Sequence, residues 1–167
     1  QAVFFESPSN PMQTMVDIAA VSDLAHAAGA TVVVDNVFGT PVLSQPLRHG
    51  ADVVVYSATK HIDGQGRALG GIILGPSELV NGPVKHLVRN TGPTMSPFNA
   101  WVMLKGLESI SLRVRHQTAS EVTVAKRLEQ HPLVRRVLHN WLPSHPQHDL
   151  ARRQMFGGGT IVTIEVD

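Results

Sequence analysis

Residues 51–71 read ADVVVYSATKHIDGQGRALGG. Three valines at 53–55 lead into the polar segment 57–60, and a glycine-rich stretch follows. A short unbroken run of β-branched residues predicts a strand that is buried on both faces, as in a parallel sheet. Functional side chains collect where such strands end, so the hydroxyls and the lysine of this segment predict a site.

Lys60 carries the most distinctive chemistry of this segment. A lysine that is buried at a strand end loses the hydration of its charged form, and the neutral amine is the nucleophile that Schiff-base formation requires. The alternative is a lysine whose ammonium group extends into solvent past the strand end. The polar residues that lie near Lys60 in the sequence, described below, favour the nucleophilic lysine.

Composition narrows the class of protein. Of the 167 residues, 43% are hydrophobic and 16% are charged, which is typical of a folded domain. Lys and Arg number 14 against 13 Asp and Glu, and the formal charge of +1 predicts no binding to nucleic acid or to an anionic membrane. The absence of cysteine excludes a disulfide framework and thiol catalysis. A cytoplasmic protein is therefore expected.

Strand and helix patterns alternate along the first part of the chain. Apolar strands are predicted at residues 3–6, 31–34 and 52–56, and amphipathic spacing predicts a helix over residues 17–28. This alternation is typical of βαβ units and predicts an α/β fold with a mostly parallel sheet. The remaining predicted elements are strands over 69–75, 134–138 and 159–166 and helices over 79–89, 97–107, 108–130 and 146–155.

The long helix predicted over residues 108–130 suggests a division of the chain, because long helices often connect domains. We expect residues 1–111 to be part of a large α/β domain and residues 112–167 to begin a smaller α+β domain. The chain both begins and ends in a segment with a strand pattern. It is therefore expected to be an internal fragment of a longer protein, with an exposed sheet edge.

Asp35 follows the valine run of the second predicted strand. It could cap a helix or a turn, or it could pair with a buried cationic ring nitrogen, as an aspartate does with pyridoxal phosphate. Asn10, Asp35 and Lys60 each follow an apolar strand, at successive intervals of 25 residues. If those strands are neighbours, the three side chains converge on one edge of the sheet.

Ser57 and Thr59 precede Lys60 at alternating positions. On an extended backbone both hydroxyls point the same way, which suits a phosphate group. The alternative is a pair of hydroxyls that bond to the local backbone. The lysine and the carboxylate nearby favour the phosphate.

Several motifs together carry a family resemblance. They are ESPSNP at 6–11, VDN at 34–36, YSATK at 56–60, KHIDGQGR at 60–67, and GPTMSPF at 92–98 followed by Trp101 and KGLE at 105–108. With these motifs the chain resembles the Cys/Met-metabolism family of pyridoxal-phosphate enzymes, which includes cystathionine γ-synthase, the γ- and β-lyases and the homoserine-ester sulfhydrylases. Within the family, residues 60–67 are most similar to the O-succinylhomoserine sulfhydrylases.

The resemblance implies a fold, a cofactor and site residues. The fold would be the type I (aspartate-aminotransferase-like) large domain, followed by the start of the small domain. The cofactor would be pyridoxal 5'-phosphate, with no metal. Lys60 would form the internal aldimine and transfer protons, Asp35 would pair with the pyridine nitrogen, Ser57 and Thr59 would hold the phosphate, and Asn10 would contact the cofactor and the substrate carboxylate. Arg67 would bind the acyl group, unless it is a solvated loop arginine.

The implied reaction is γ-replacement on O-succinylhomoserine with sulfide, which yields homocysteine and succinate. The alternatives within the family are cystathionine γ-synthase and the cystathionine or methionine γ-lyases, and a further alternative is a folded fragment without catalysis. The resemblance also implies an amino-acid substrate and a homo-oligomer, a dimer of dimers. The family's other portions supply further phosphate, ring and carboxylate ligands, so weak cofactor binding by this polypeptide alone is expected.

Three other features of the sequence do not indicate sites. His139, His145 and His148 lie close in sequence, but prolines interrupt them and no acidic or cysteine ligand joins them at a recognisable spacing. His61 could tune proton transfer by Lys60, but neighbouring residues on a strand point to opposite faces. The glycines at 157–159 lack the strand, helix and lysine of a phosphate-binding loop.

Overall fold

A twisted α/β sheet forms the first half of the molecule in the computed structural model, which describes residues 1–166. The strands are β1 Ala2–Glu6, β2 Thr31–Asp35, β3 Val53–Ser57 and β4 Gly71–Leu74, with β5 Val134–Leu138 and β6 Thr163–Val166 in a separate antiparallel pair. The strand order of the sheet is β1-β2-β3-β4; the first three strands run parallel, and β4 runs antiparallel to β3. The prediction of an α/β fold with a mostly parallel sheet is therefore confirmed.

The valine runs occupy the centre of the sheet. Val32 and Val34, on one face of β2, are fully buried, but Val33 on the other face is only partly buried. In β3 the neighbouring Val53 and Val54, which point to opposite faces, are both buried. The prediction of strands buried on both faces is therefore met in β3 and only in part in β2. β1 is an edge strand, and its Phe4 is 64% exposed. The described chain thus has an exposed, apolar sheet edge, which agrees with the expectation from the sequence.

Helices connect and cover the strands. Asp17 accepts a hydrogen bond from the Ala20 amide at 3.1 Å and caps the first helix, and Ser96 caps the fifth through the Asn99 amide. The predicted helix over 79–89 is interrupted, because Gly82 has a non-helical backbone and Pro83 follows it. The helices are α1 Ile18–Ala27, α2 Thr40–Leu43, α3 Ser77–Leu79, α4 Lys85–Thr91, α5 Pro97–Leu107, α6 Ile110–Leu128 and α7 His148–Gln154.

Two glutamines join the end of the chain to its beginning. The Gln154 side chain accepts from the Ile18 amide at 3.0 Å and donates to the Val16 carbonyl at 3.1 Å. Gln147 makes the same pair of bonds with Met15, at 2.8 Å and 2.6 Å. These amides satisfy backbone groups that precede α1, so α7 packs on the α1 side of the sheet. The domain division at residue 112 remains a prediction.

No helix within residues 1–166 is both long enough and apolar enough to cross a membrane.

His139 is completely buried behind α7 and accepts a hydrogen bond from the Trp141 amide at Nδ1. Burial lowers its pKa from 6.5 to about 4, and the nearby His145 contributes in the same direction, whereas Glu129 opposes the shift. A folded chain therefore keeps this imidazole neutral at pH values where an unfolded chain protonates it. Among the described residues, this cluster forms no metal-ligand group.

Acidification below the ordinary pKa of histidine should destabilise the protein through His139. Between about pH 6.5 and about pH 4 the unfolded state binds the extra proton, so the free energy of unfolding should fall by up to about 1.4 kcal/mol per pH unit. Urea unfolding at several pH values would measure the slope. The variant His139→Gln should show a shallower slope than the parent chain, and an unchanged slope would contradict this assignment.

Candidate active site

The ends of β1, β2 and β3 lie side by side. Glu6 is opposite Asp35 in the register of the first pair, and Asp35 is opposite Val55 in that of the second. Because the strands are parallel, the loops that follow them leave the sheet at one edge. Asn10, Asp35 and Lys60 therefore belong to neighbouring segments at this edge, as the spacing in the sequence predicts.

Asp35 is held by the backbone of its own loop. It is partly buried, and its Oδ1 accepts a hydrogen bond from the Val37 amide at 3.0 Å. The Asp35 carbonyl accepts from the Ser7 amide at 3.3 Å, which ties the loop after β1 to the end of β2. The carboxylate is therefore oriented, and Oδ2 remains available for a ligand.

Asn36 was not assigned a role from the sequence, although it lies within one of the motifs. It is fully buried, and its amide nitrogen donates to the Tyr56 hydroxyl at 3.0 Å and to the Ser44 carbonyl at 3.0 Å. Burial raises the pKa of Tyr56, and the bond from Asn36 opposes that effect. Asn36 thus joins the loop after Asp35 to the strand that leads to Lys60.

β3 ends at Ser57, and residues 58–63 form turns. The Asp63 amide donates to the Ala58 carbonyl at 2.8 Å, and the Gly64 amide donates to the Lys60 carbonyl at 2.7 Å. The Lys60 side chain is exposed, so the expectation that the strand end buries this lysine is wrong. The turn places the Lys60 amine outside the sheet, and in this position it is accessible to a ligand. We name residues 58–64 the lysine turn.

The two hydroxyls differ in their surroundings. Ser57 is the last residue of β3, but Thr59 lies in the lysine turn, so the two are not on one extended strand as the sequence argument assumed. Thr59 Oγ1 accepts a hydrogen bond from the Gly70 amide at 3.1 Å. The contact from Thr59 Oγ1 to the Gly70 carbonyl is long, at 3.5 Å, so the hydroxyl proton is free to serve a stronger acceptor.

Asn10 lies in the loop that follows β1 and is exposed. Its backbone amide donates to the Glu6 carboxylate at 3.0 Å, a bond that closes the loop over the end of the strand. Asn10 therefore belongs to a loop at the same edge of the sheet as the loop of Asp35.

Arg67 is engaged by a buried carboxylate. Its Nε donates to Asp63 Oδ1 at 2.9 Å and its backbone amide donates to Asp63 Oδ2 at 2.6 Å. Burial alone would raise the pKa of Asp63, but these bonds and the charge of Arg67 outweigh it and hold the pKa below its ordinary value. These contacts account for Arg67 as a residue that shapes the loop, and binding of an acyl group by Arg67 remains a prediction.

His61 faces an open cleft of about 300 Å³ that Lys60 also lines. Its ring makes an edge-on contact with Phe38, and its Nε2 lies 2.5 Å from the Thr160 hydroxyl. Burial lowers the pKa of His61; a backbone hydrogen bond to Val37 opposes the shift. The lysine turn thus contacts both the loop after Asp35 and the final part of the chain.

Helices α5 and α6 both contact the lysine turn, and the sequence did not predict these contacts. A Cβ atom at Gly106 would lie only 2.1 Å from the Ile62 carbonyl oxygen, so only glycine allows this approach. Arg113 of α6 donates to the carbonyls of His61 and Ile62. Sequence reasoning could have noticed Gly106 as a glycine inside a helix, but nothing in the pattern identifies its contact.

The family model for "Cys/Met metabolism PLP-dependent enzyme" matches the chain over residues 1–167. The protein belongs to this family.

Curated relatives with known names are similar over the whole chain. The O-succinylhomoserine sulfhydrylase of Mycobacterium tuberculosis H37Rv is 65% identical over 167 residues, which are all of this chain and 41% of that protein. The O-succinylhomoserine sulfhydrylase of Pseudomonas aeruginosa is 54% identical, over 98% of this chain and 40% of that protein. The chain therefore spans about two fifths of the length of these relatives.

Solved structures share the fold. A methionine γ-lyase of Micromonospora echinospora, CalE6, superposes with a TM-score of 0.96 at 40% identity, over 99% of this chain and 45% of that one. MetB of Corynebacterium glutamicum superposes with a TM-score of 0.97 at 31% identity, over 99% of this chain and 43% of that one.

The side chains at the sheet edge fit pyridoxal phosphate in their chemistry. The cofactor presents a basic ring nitrogen, an aldehyde and a phosphate, for which a carboxylate, an amine and hydroxyl donors are suitable partners. Asp35 has a free carboxylate oxygen, Lys60 is accessible, and Thr59 has an available hydroxyl proton. The residues present are therefore compatible with the cofactor of the family.

Gly106→Ala should destabilise the protein although alanine is the better helix former. Helix propensity favours alanine by about 1 kcal/mol, but the added methyl group would overlap the Ile62 carbonyl and displace the lysine turn, at a cost of about 1–3 kcal/mol or more. Urea unfolding would show whether the substitution lowers the free energy of unfolding, as expected, or raises it. Lys105→Ala on the same helix serves as the control, and equal effects of the two variants would contradict the packing argument.

Arg67 and Asp63 should be coupled in stability. Arg67→Gln, Asp63→Asn and the double variant form a double-mutant cycle, and we expect a coupling energy of roughly 0.5–1.5 kcal/mol, since the guanidinium is partly screened by solvent. Thermal or urea unfolding of the four proteins gives this value. Strictly additive effects would show that the bond between the two side chains contributes nothing to the stability of the folded state.

Proposed function

We propose that the chain is the lysine-bearing part of a pyridoxal-phosphate enzyme that performs γ-replacement on O-succinylhomoserine. Sulfide adds at the γ carbon as succinate leaves, and the product is homocysteine. The observation that carries the proposal is the meeting of Asp35, Ser57, Thr59 and Lys60 at the ends of two neighbouring parallel strands. The 65% identity to an O-succinylhomoserine sulfhydrylase supports the choice of substrate and sulfur donor.

Each residue has a distinct task in this proposal. Bound pyridoxal phosphate supplies an electron sink that stabilises the negative charge left on a substrate carbon when its proton departs. Lys60 Nζ would hold the cofactor covalently, and it would accept and return the protons of the substrate's α and β carbons. The Asp35 carboxylate keeps the ring nitrogen protonated, as an anion beside a cation does.

The hydroxyls and the exposed loop complete the proposed site. Ser57 and Thr59 donate to the phosphate, for which the Thr59 hydroxyl gives up only a long contact of 3.5 Å with the Gly70 carbonyl. Asn10, in the exposed loop after β1, contacts the cofactor and the substrate carboxylate. Arg67, whose Nε donates to Asp63 Oδ1 in the same loop, binds the acyl group of the substrate in this proposal.

The proposed architecture follows from the same family. Residues 1–111 would belong to the large domain of a type I pyridoxal-phosphate fold, and residues 112–167 would begin its small domain. The enzyme would be a cytoplasmic homo-oligomer, a dimer of dimers. The exposed apolar strand β1 and its Phe4 support association at the sheet edge.

A second candidate is a lyase or a cystathionine γ-synthase. The 40% identity and TM-score of 0.96 with the methionine γ-lyase CalE6 favour it, as does 42% identity to cystathionine γ-synthase 1 of Arabidopsis thaliana. The candidate reactions differ in the nucleophile that adds to the γ carbon of the substrate. It is sulfide for the sulfhydrylase and cysteine for cystathionine γ-synthase, and a lyase uses none. An assay that supplies O-succinylhomoserine with sulfide, with cysteine or with neither, and identifies the product, distinguishes the candidates.

Titration of the chain with pyridoxal phosphate tests the assignment of Lys60. We expect a yellow absorption band that Lys60→Ala abolishes and that Lys105→Ala, the removal of another exposed lysine, leaves unchanged. Asp35→Asn should weaken binding, because the neutral amide no longer stabilises a protonated ring nitrogen. Equal bands in the parent chain and in Lys60→Ala would contradict the assignment, and no band in either would show that this polypeptide alone does not assemble the site.

A further inference from the structure

Arg113 of α6 makes four hydrogen bonds that no other side chain could reproduce. Nη1 donates to the His61 carbonyl at 2.9 Å, and Nη2 donates to the Ile62 carbonyl at 3.3 Å and to the Gly106 carbonyl at 2.9 Å. Nε donates to Ser109 Oγ at 3.0 Å, one turn earlier on the helix. The planar fork of the guanidinium therefore spans two carbonyls of the lysine turn and the end of α5.

The surrounding glycines show that the contact is close-packed. A Cβ atom at Gly64 would lie 2.0 Å from Arg113 Nη1, and Gly64 also has a positive φ of 74°. On the other side, Gly106 brings α5 against the Ile62 carbonyl. Gly106 and Arg113 thus pack against the lysine turn, whose own backbone amides bond to the Ser57, Ala58, Lys60 and Gly70 carbonyls. The carbonyls of His61 and Ile62 are bonded by Arg113.

The charge of Arg113 is balanced by carbonyl dipoles. Within residues 1–166 no ion pair includes Arg113, so its positive charge remains beside the cleft that Lys60 and His61 line. Burial is the main cause of the lowered pKa of His61, and the charge of Arg113 adds to it. The guanidinium therefore acts on the turn both as a brace and as a fixed cation.

We infer that Arg113 is the positioning residue for Lys60, because its bonds to the His61 and Ile62 carbonyls hold the turn that presents the amine. This inference rests on the proposed role of Lys60 in binding pyridoxal phosphate. Arg113 itself touches neither cofactor nor substrate in this role. It acts by limiting the conformations of the exposed lysine, so that less entropy is lost when the cofactor binds.

Hydrogen exchange of the chain without cofactor tests the brace directly. In Arg113→Lys the ammonium keeps the charge but cannot reach three carbonyls at once. We expect the Asp63 and Gly64 amides to exchange at least about tenfold faster, since one hydrogen bond to a charged group contributes that factor or more. The hydrogen-exchange rates of the β2 amides should not change.

The matched control is Arg115→Lys. Arg115 lies two residues further along α6, and its Nε also bonds to the serine one turn earlier, Ser111, but it makes no bond to the lysine turn. If Arg113→Lys folds poorly, Ser109→Ala loosens the guanidinium more gently, with Ser111→Ala as its control. Both controls should leave the Asp63 and Gly64 amides unchanged.

The affinity for pyridoxal phosphate provides the second measurement. We expect it to fall at least several-fold in Arg113→Lys and to stay constant in Arg115→Lys. Unchanged exchange in the lysine turn, equal acceleration throughout the sheet, or faster exchange with unchanged affinity would each overturn the inference. Failure of the parent chain to bind the cofactor would instead count against the proposed function, and the exchange rates would still decide whether Arg113 holds the turn.

Discussion

The parallel register of β1, β2 and β3 is the constraint on which the candidate site depends. Parallel strands direct their carboxyl ends to one edge, so three loops that are separate in sequence leave the sheet together. Asp35 lies at the very end of its strand, and Lys60 lies in a turn just beyond the next one. A sheet with β3 reversed would place this lysine at the opposite edge, far from the carboxylate.

Buried amide side chains convert that strand order into a defined site. Asn36 bonds the loop after Asp35 to Tyr56, and Gln147 and Gln154 bond the last helix to the backbone before α1. Amides suit this purpose because they satisfy both a donor and an acceptor without carrying a charge into the interior. Neutral amide contacts therefore hold the loop after Asp35 and the start of α1, whereas charged side chains, Arg113 and the buried Asp63, hold the lysine turn.

Sequence patterns located most elements, because strands of valine and amphipathic helices have clear periods. The prediction of helix α5 over 97–107 and of strand β5 over 134–138 agrees with the structure at both ends. The predicted helix over 79–89 and the strand over 159–166 were less accurate. In the first, Gly82 and Pro83 break the helix, and in the second the strand begins only at Thr163. Local backbone chemistry of this kind is visible in a sequence, but its effect depends on the packing around it.

The sequence by itself determined the α/β class, the strands that precede Asp35 and Lys60, and the family, since periodicity and motifs are properties of the chain alone. Only the tertiary structure decided that Lys60 is exposed, that Arg67 pairs with Asp63, and that Arg113 braces the lysine turn. Arg113 lies 53 positions after Lys60 in the chain. The physical reason is that burial and hydrogen bonding depend on which distant segments fold against each other, and no local pattern records those contacts.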